Sequence, residues 1–530
     1  MRIAIETFRG MVPKPDSRLL PVEVANLAIN CRFDRGQIEP YSNYQSIEPL
    51  PVSNVKSLFR YADNFWFAWN KDVDVVNSPI DQDDYGRVYF TGDGKPKVTY
   101  NTIATAGQIK PSASYSLGVP APENGPNAIV SSAVQDEEGF ANDITLFYVY
   151  TYVTELGEEG QPSALSGELT IFDPTSHTVS ITFPDAVPTG HNITHIRIYR
   201  NATTTNSGGY FHVADIPIAS KDTPYVDSTI EAELGGDLVS INYDLPPEDM
   251  AGLTSMPNGI LAGFSGNSVC FSVAFQPHAW PFDYRQTTEH NIVGLSVFGN
   301  SLFVATEGKP YVFSGVSPDS MTGQKLEINQ ACVSKRSIVD MGEYVIYASP
   351  EGLVAASSGD MRVITQDLMR KDQWQQYQPE TIHAYQVEGK YLAFHGGNAA
   401  FIFDPSDKSF IEINAYADAG FNILKQDELY LSVDDDLVLW DADLTKQNFR
   451  WRKRFELNNR VSPKACRVEK ASDGDLTFTL FVDGVQSFQA VNPTNETFRL
   501  PPKRGDHFEI EVSGTCSVRR IVLASSPREL

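Results

Sequence analysis

The chain has 530 residues, enough for about two to four domains with sizeable cores. Its 67 acidic residues outnumber 42 basic ones and give a net charge of −25. This charge disfavours conventional nucleic-acid recognition, although DNA could slide past such a surface without binding to it.

The first residues, MRIAIETFRGMVPKPDSR, lack the apolar core of a signal peptide, and no run approaches the roughly 18 apolar residues of a membrane span. We therefore expect the chain to fold in a cytoplasm. The five cysteines are far apart and form no C-x-x-C pair, so reduced core thiols are expected. Two segments are helix candidates, PVEVANLAIN (21–30) and QDLMRKDQWQQYQ (366–378).

A strand–turn–strand pattern recurs along the chain. NFWFAWNKDVDVV (64–76) and GRVYFTGDGKPKVTY (86–100) carry it before the middle of the chain. Later copies place Gly266, Gly308, Gly352 and Gly397 at the bends, at steps of 42, 44 and 45 residues. This period and the short β-rich blocks predict an all-β chain built on a β-propeller of about six blades. Gly308-Lys309-Pro310 lacks the spacing of a phosphate-binding loop, so we expect a hairpin bend there.

Two regions have a different pattern. Residues 140–230 hold longer strands with alternating tyrosines and an acidic glycine turn, in the order Y-x-Y-V-T, G-E-E-G, I-R-I-Y-R, which resembles a fibronectin type III domain. Residues 448–530 alternate apolar and polar residues and predict a second antiparallel sandwich. The expected domains are 1–139 with the first blades, 140–230 as the inserted sandwich, 231–447 with the remaining blades, and 448–530.

Candidate sites are few. The sequence shows no catalytic motif and no cofactor-binding motif, so we expect neither a catalytic set nor a cofactor. Asp434, Asp435 and Asp436 are the weak metal candidates, but the pattern of an EF-hand does not follow, which favours a solvated turn. The basic run RWRKR suggests a contact to a neighbouring subunit or adaptor, with a partly exposed strand as the alternative; its contact candidates are Arg450, Arg452, Lys453 and Arg454.

Three stretches together resemble the tail nozzle (hub) and related tail structural proteins of short-tailed bacteriophages. The first contains FRGMVP and RGQIEP (8–40), the second is HAWPFDYRQTTEHNIVGLSVFGNSLFVATEGKPYVFSGVSP (278–318) with the following ACVSKRSIVDMGEYVIYASPEGLV, and the third is the terminal VRRIVLASSPREL. The middle region is only generic.

The resemblance implies a non-enzymatic virion protein, assembled in the host cytoplasm into a ring, with six subunits as the expected number. The ring would lie below portal and adaptor proteins, contact tail fibres or spikes, and let DNA leave through its channel, with no small-molecule substrate. Two alternatives stay open: a propeller glycoside hydrolase or sialidase, and a carbohydrate-binding adhesion module. Fold alone does not choose among them.

Overall fold

The computed structural model describes residues 2–63, 65–107, 111–133, 144–171, 177–202, 209–357, 359–456 and 463–529. The regular secondary structure of these residues is mostly β-strand, with only short helical elements, so the expected all-β class is confirmed. The five cysteines are all buried and unpaired, as expected for core thiols.

Six groups of four neighbouring strands in the described ranges take all or most of their strands from consecutive segments of the chain, and we call them meanders 1 to 6; meander 5 is part of a larger, eleven-stranded sheet. Meander 1 consists of Asp74–Asn77, Val88–Thr91, Lys97–Thr99 and Tyr115–Ser116; meander 2 of Ala251–Ser255, Leu261–Ser265, Ser268–Phe271 and Gln286–Thr287; meander 3 of Ile292–Phe298, Ser301–Thr306, Tyr311–Ser314 and Thr322–Lys325. Meander 4 consists of Val339–Asp340, Val345–Ser349, Gly352–Ala356 and Met361–Val363; meander 5 of His383–Val387, Lys390–His395, Ala399–Asp404 and Ser409–Ile413; meander 6 of Ala419–Ile423, Glu428–Val433 and Asp436–Leu439, completed by Gln45–Pro49.

The predicted hairpin bends are largely present. Gly266 and Gly397 have φ of 57° and 74° between paired strands, a conformation that glycine adopts without steric cost. Gly308 lies between neighbouring strands of meander 3, so Gly308-Lys309-Pro310 is a hairpin bend as expected. The hairpin expected within 64–76 is wrong. Phe65–Trp69 pairs instead with Ser57–Ala62, and Asp74–Asn77 joins meander 1.

The chain divides into two compact units. The first comprises Met1–Lys71, Val293–Val312 and Gln324–Leu530, and the second Asp72–Ile292 and Phe313–Gly323. In the second unit, meanders 1 and 2 share one apolar core, in which Tyr89 and Val98 pack with Leu261 and Cys270. Packing sheet against sheet in this way buries the apolar face of each.

The second unit also contains what we call the middle segment, residues 127–227. Its strands are Asn127–Ala133, Ile144–Leu146, Tyr148–Thr154, Leu169–Ile171, His177–Thr182, Ile193–Asn201, Tyr210–Pro217 and Tyr225–Asp227. They form three small sheets around a single apolar cluster. Tyr148, Tyr150 and Tyr152 all lie in this cluster, because alternate residues of a strand share one face.

In the first unit, neighbouring sheets pack face to face in series. Val345 and Val354 of meander 4 pack with Phe303 and Val312, and residues of meanders 4, 5 and 6 meet in the largest apolar cluster. The hairpin of Ser57–Ala62 and Phe65–Trp69 packs in turn on Ala419 and Leu437 of meander 6.

The N-terminal residues are woven into several sheets of the first unit. Leu27–Ile29 lies between Ser409–Ile413, which it joins in parallel, and Phe449–Glu456, which it joins antiparallel. Arg2–Ile5 pairs antiparallel with Val518–Ala524. The remaining strands of this stretch are Arg9–Met11, Val24–Ala25, Cys31–Arg32 and Glu39–Pro40.

The helix expected over residues 21–30 is therefore wrong. Val24–Ala25 and Leu27–Ile29 are strands, since pairing with strands distant in sequence outweighs local helix propensity, and Asn30 has φ of 54°. The expectation for 366–378 is confirmed in part. A short α-helix, Lys371–Trp374, continues as the 3₁₀ turn Gln375–Tyr377 and ends where Gln378 adopts φ of 47° before Pro379.

The other strands of the C-terminal part form two sheets around shared core residues such as Trp451, Phe478 and Ile521. These strands are Ala465–Lys470, Leu476–Val482, Val485–Val491, Phe498–Arg499 and His507–Gly514. The remaining helical elements are the α-helix Asn101–Ala104 and the 3₁₀ turns Ser17–Leu19, Ile218–Ser220, Glu231–Glu233, Pro257–Gly259, Phe282–Tyr284, Pro318–Ser320, Lys335–Ser337, Pro379–Thr381 and Pro527–Glu529. None of the helices in the described ranges has the length and apolar character needed to span a membrane.

Candidate functional site

The basic run RWRKR lies on the strand Phe449–Glu456, and its side chains alternate between two faces. Arg450 and Arg452 face the neighbouring strand, where both approach the carboxylate of Glu511, with Nε to Oε2 distances of 2.7 and 2.8 Å. Arg454 approaches Glu456 at 3.8 Å. These arginines are part of a partly exposed ladder of paired charges, and their contact with another subunit stays a prediction.

Lys453 points the other way and is buried, with only 1% of its surface exposed. Its Nζ donates hydrogen bonds to the carbonyls of Leu20, Pro21 and Val24, at 3.2, 2.5 and 2.9 Å. Burial lowers the pKa of Lys453 to about 8, so the ammonium is charged at pH 7. The side chain therefore ties the N-terminal segment to the C-terminal strand.

The Asp434–Asp436 segment forms the bend between two strands of meander 6. Asp434 and Asp435 both have positive φ, 51° and 65°, as the two central residues of a tight hairpin turn require. The carboxylate of Asp435 accepts a hydrogen bond from the backbone N–H of Asn54 at 2.8 Å. Among the described residues, no group of three acidic, histidine or cysteine side chains is placed to hold a metal ion.

The most developed polar cluster surrounds the turn Gly157–Gly160 of the middle segment, which follows the strand Tyr148–Thr154. Glu158 is buried at 5% exposure, and its carboxylate faces meander 1. Arg87 Nη1 lies 3.5 Å from Glu158 Oε1, and the Tyr89 hydroxyl lies at the same distance. Arg87 also donates its Nε–H and its backbone N–H to Asp83, both at 2.9 Å.

The next residue, Glu159, points back into the middle segment. Its carboxylate accepts hydrogen bonds from Thr151 and Tyr199, both at 2.8 Å, and from Arg197 at 3.1 Å. Its backbone carbonyl lies 3.2 Å from Nε2 of His278, whose burial lowers its pKa to about 4 and keeps the ring neutral. Through these two adjacent glutamates, the turn is bonded both to meander 1 and to the rest of the middle segment. We call this contact region the joint.

This joint could not have been found from the sequence. The G-E-E-G stretch reads as an acidic turn, and acidic turns are usually solvated. Its partners, Arg87 and Tyr89, lie about 70 residues upstream of Glu158 in the chain, so no local spacing connects them. The one signal present is the pair of glycines that flank two glutamates immediately after a strand with tyrosines at alternate positions.

A cleft of about 490 Å³ lies in the first unit, between the outer strand of meander 4 and the last bend of meander 5. Its charged groups are largely exposed and approach one another, with Lys408 3.5 Å from Asp367 and Arg362 3.9 Å from Asp360. Tyr344 lies partly buried beside them, and burial raises its pKa. The size suits a small ligand, but the lining favours no particular chemistry.

No protein-family model matches this chain, and no curated protein does. Solved structures with some likeness include BamB from Moraxella catarrhalis, with 12% identity over 60% of this chain and 99% of that one and a TM-score of 0.27. Sqt1 from Saccharomyces cerevisiae has 9% identity over 78% and 99%, with a TM-score of 0.28. The computationally designed Ika8 protein has 8% identity over 74% and 96%, with a TM-score of 0.29. Likenesses at this level decide neither fold nor function here.

Proposed function

We propose that this chain is a structural subunit of a short bacteriophage tail, with no catalytic role. In this proposal the meanders are the blades of a β-propeller of about six blades, the middle segment is a fibronectin type III-like sandwich, and the C-terminal sheets form a second sandwich. Copies of the chain assemble into a ring, with six as the expected number, that seals the tail and conducts DNA during ejection. Its partners are adaptor and portal-proximal proteins and tail fibres or spikes.

The observation that carries the proposal is that N-terminal residues pair with strands from distant parts of the chain. We call this arrangement the N-terminal weave. Gln45–Pro49 supplies the fourth strand of meander 6, and Arg2–Ile5 and Leu27–Ile29 pair with C-terminal strands. Because residues 2–5 and 27–29 are hydrogen-bonded to residues 521–524 and 450–452, neither segment can separate without breaking those sheets. Such closure suits a part that must bear load.

Two of the three stretches that carry the sequence resemblance, the first and the terminal one, lie in this weave. Phe8 of FRGMVP stacks edge-on against Trp451 with ring centres 5.1 Å apart, and its backbone N–H donates to the carbonyl of Gly36 at 3.0 Å. Ile38 of RGQIEP exchanges two backbone hydrogen bonds of 2.9 Å with Val518, the first residue of the terminal VRRIVLASSPREL. For these two stretches, the resemblance and the strand pairing concern the same contacts.

The net charge of −25 has the sign that a DNA conduit needs. Duplex DNA carries one negative charge per roughly 1.7 Å of its axis, and attractive contacts along a channel would hold it in place. A strongly acidic subunit repels DNA, and repetition around a ring multiplies that effect.

The test is electron microscopy and native mass spectrometry of the full chain, alone and mixed with the tail proteins encoded beside it. The proposal predicts closed rings with a central channel, formed alone or upon addition of the adaptor. A monomer that stays monomeric with all neighbours and cleaves a glycosidic substrate would identify the hydrolase alternative instead. A monomer that is retained on a glycan array would identify the adhesion alternative.

A further inference from the structure

The joint at the turn Gly157–Gly160 contains one more carboxylate than it has positively charged side chains. On the meander side, three ionisable groups meet in a buried cluster: Asp83, Arg87 and Glu158. The guanidinium of Arg87 already donates its Nε–H to Asp83 at 2.9 Å, whereas its Nη1 lies 3.5 Å from Glu158. With both acids ionised, the cluster carries one net negative charge in a buried environment; with Glu158 protonated, the cluster is neutral.

Among the residues that the structure describes, no other positively charged group contacts Glu158. The Tyr89 hydroxyl, 3.5 Å away, is a neutral donor, and burial raises its pKa well above the ordinary value. His278, which approaches the same turn from meander 2, is neutral above its lowered pKa of about 4. Arg197 is engaged by Glu159 and Asp215. Burying an uncompensated carboxylate is costly, so the proton favours the docked turn.

The same turn helps to hold the middle segment against meander 1, together with hydrogen bonds from Ser116 N–H to the Gly190 carbonyl and from the Asn192 amide to the Tyr100 hydroxyl. Leu156 packs on the core that meanders 1 and 2 share. Glu155 accepts hydrogen bonds from the Tyr100 hydroxyl at 2.9 Å and from Asn192 at 3.0 Å. At Gly160, the backbone is so close to Val119 that an added Cβ would lie 2.6 Å from its carbonyl oxygen. Opening the turn would bring Glu158 into water and release these contacts together.

We propose that the turn Gly157–Gly160 is a proton-sensitive lock that holds the middle segment rigidly on meander 1 while Glu158 is protonated and loosens when Glu158 ionises. The inference does not depend on the proposed function, since it concerns one joint within the second unit. In a protein of this design, the lock would let a change of pH alter how freely the middle segment moves.

The sign follows from linkage. Burial raises the pKa of Glu158 from 4.5 to about 7 in the docked turn, whereas an undocked turn in water would have the ordinary value. Between these two values the docked state binds more protons, so docking is strongest at low pH and weakens as the pH rises through 7. For these two pKa values, the ratio of undocked to docked turns rises on the order of 30-fold between pH 5.5 and pH 8.

Hydrogen–deuterium exchange on the full chain tests the lock, with rates corrected for the intrinsic effect of pH. The reporters are the backbone amides of Thr154 and Gly160, which donate to the carbonyls of Glu158 and Tyr152 at 3.0 and 3.1 Å. We expect their protection to fall by on the order of 30-fold from pH 5.5 to pH 8. Glu158→Gln, a neutral side chain of the same shape, should show the same protection at both pH values, at least as high as that of the unmodified chain at pH 5.5.

Two further variants make the test specific. Glu155→Gln changes the same turn, but the hydrogen bonds from Asn192 and Tyr100 lower the pKa of Glu155, so it does not titrate in this window and should keep the pH dependence of the unmodified chain. Asp83→Asn frees Arg87 to pair with Glu158 and should reduce the pH dependence. Protection that is equal at both pH values in the unmodified chain, or a pH dependence that persists in Glu158→Gln, would overturn the lock.

Discussion

Replacing Lys453 by methionine should loosen the N-terminal segment more than any comparable change on the same strand. Methionine keeps the apolar stem that fills the site and removes only the ammonium. Three hydrogen bonds to the carbonyls of Leu20, Pro21 and Val24 are lost. At a net value of about 1 kcal/mol each, the loss is about 3 kcal/mol.

The assay is hydrogen–deuterium exchange at the amides of Val24 and Asn26, which donate to the carbonyls of Pro21 and Arg452 at 3.2 and 2.8 Å. A loss of about 3 kcal/mol should speed their exchange on the order of 100-fold if the segment opens locally. Arg450→Met is the matched control, because Arg450 lies on the exposed face of the strand and its ion pair with Glu511 is worth about 1 kcal/mol at most. Equal exchange in the two variants would refute the role of Lys453 as the tie.

Further outcomes follow from the same contacts. Gly10→Ala should destabilise the first unit by about 1–3 kcal/mol in urea unfolding, because its Cβ would lie 2.7 Å from the backbone oxygen of Phe410. The control Gly167→Ala, with open space around it, should be neutral, and equal unfolding midpoints for the two variants would contradict this packing. Calcium should not raise the melting temperature through the Asp434–Asp435 turn, and a rise that Asp434→Asn abolishes would contradict the hairpin interpretation. Burial lowers the pKa of His278 to about 4, so the free energy of unfolding should fall as the pH falls from 6.5 to 4. This loss should be up to about 3 kcal/mol larger in the unmodified chain than in His278→Gln, and identical pH profiles of unfolding would contradict this.

Local sequence signals predicted the turns well. A glycine between two short apolar blocks indicates a hairpin because few other residues adopt positive φ cheaply, and Gly266 and Gly397 do so. The expected turn at Asp434–Asp436 contains no glycine, yet Asp434 and Asp435 take the positive-φ conformation that glycine would. The turn was therefore predictable even where glycine is replaced.

Long-range pairing was not predictable from one sequence. Residues 21–30 have the composition of a helix, yet Leu27–Ile29 is held between strands that begin nearly 400 and more than 400 residues later. Lys453 and Glu158 are likewise buried by residues that are distant from them in the sequence. Charged residues in a sequence indicate solvent exposure by default, and only the fold reveals which of them are enclosed.

The most direct test of the proposed assembly is electron microscopy of the full chain with the tail proteins that the proposal names as partners. The account predicts closed rings of identical subunits around an open channel, in which the meanders of each subunit are arranged radially around an axis, as the blades of a β-propeller are. Particles that remain single subunits under all these conditions, or rings in which the same segments stack in a linear array, would contradict it.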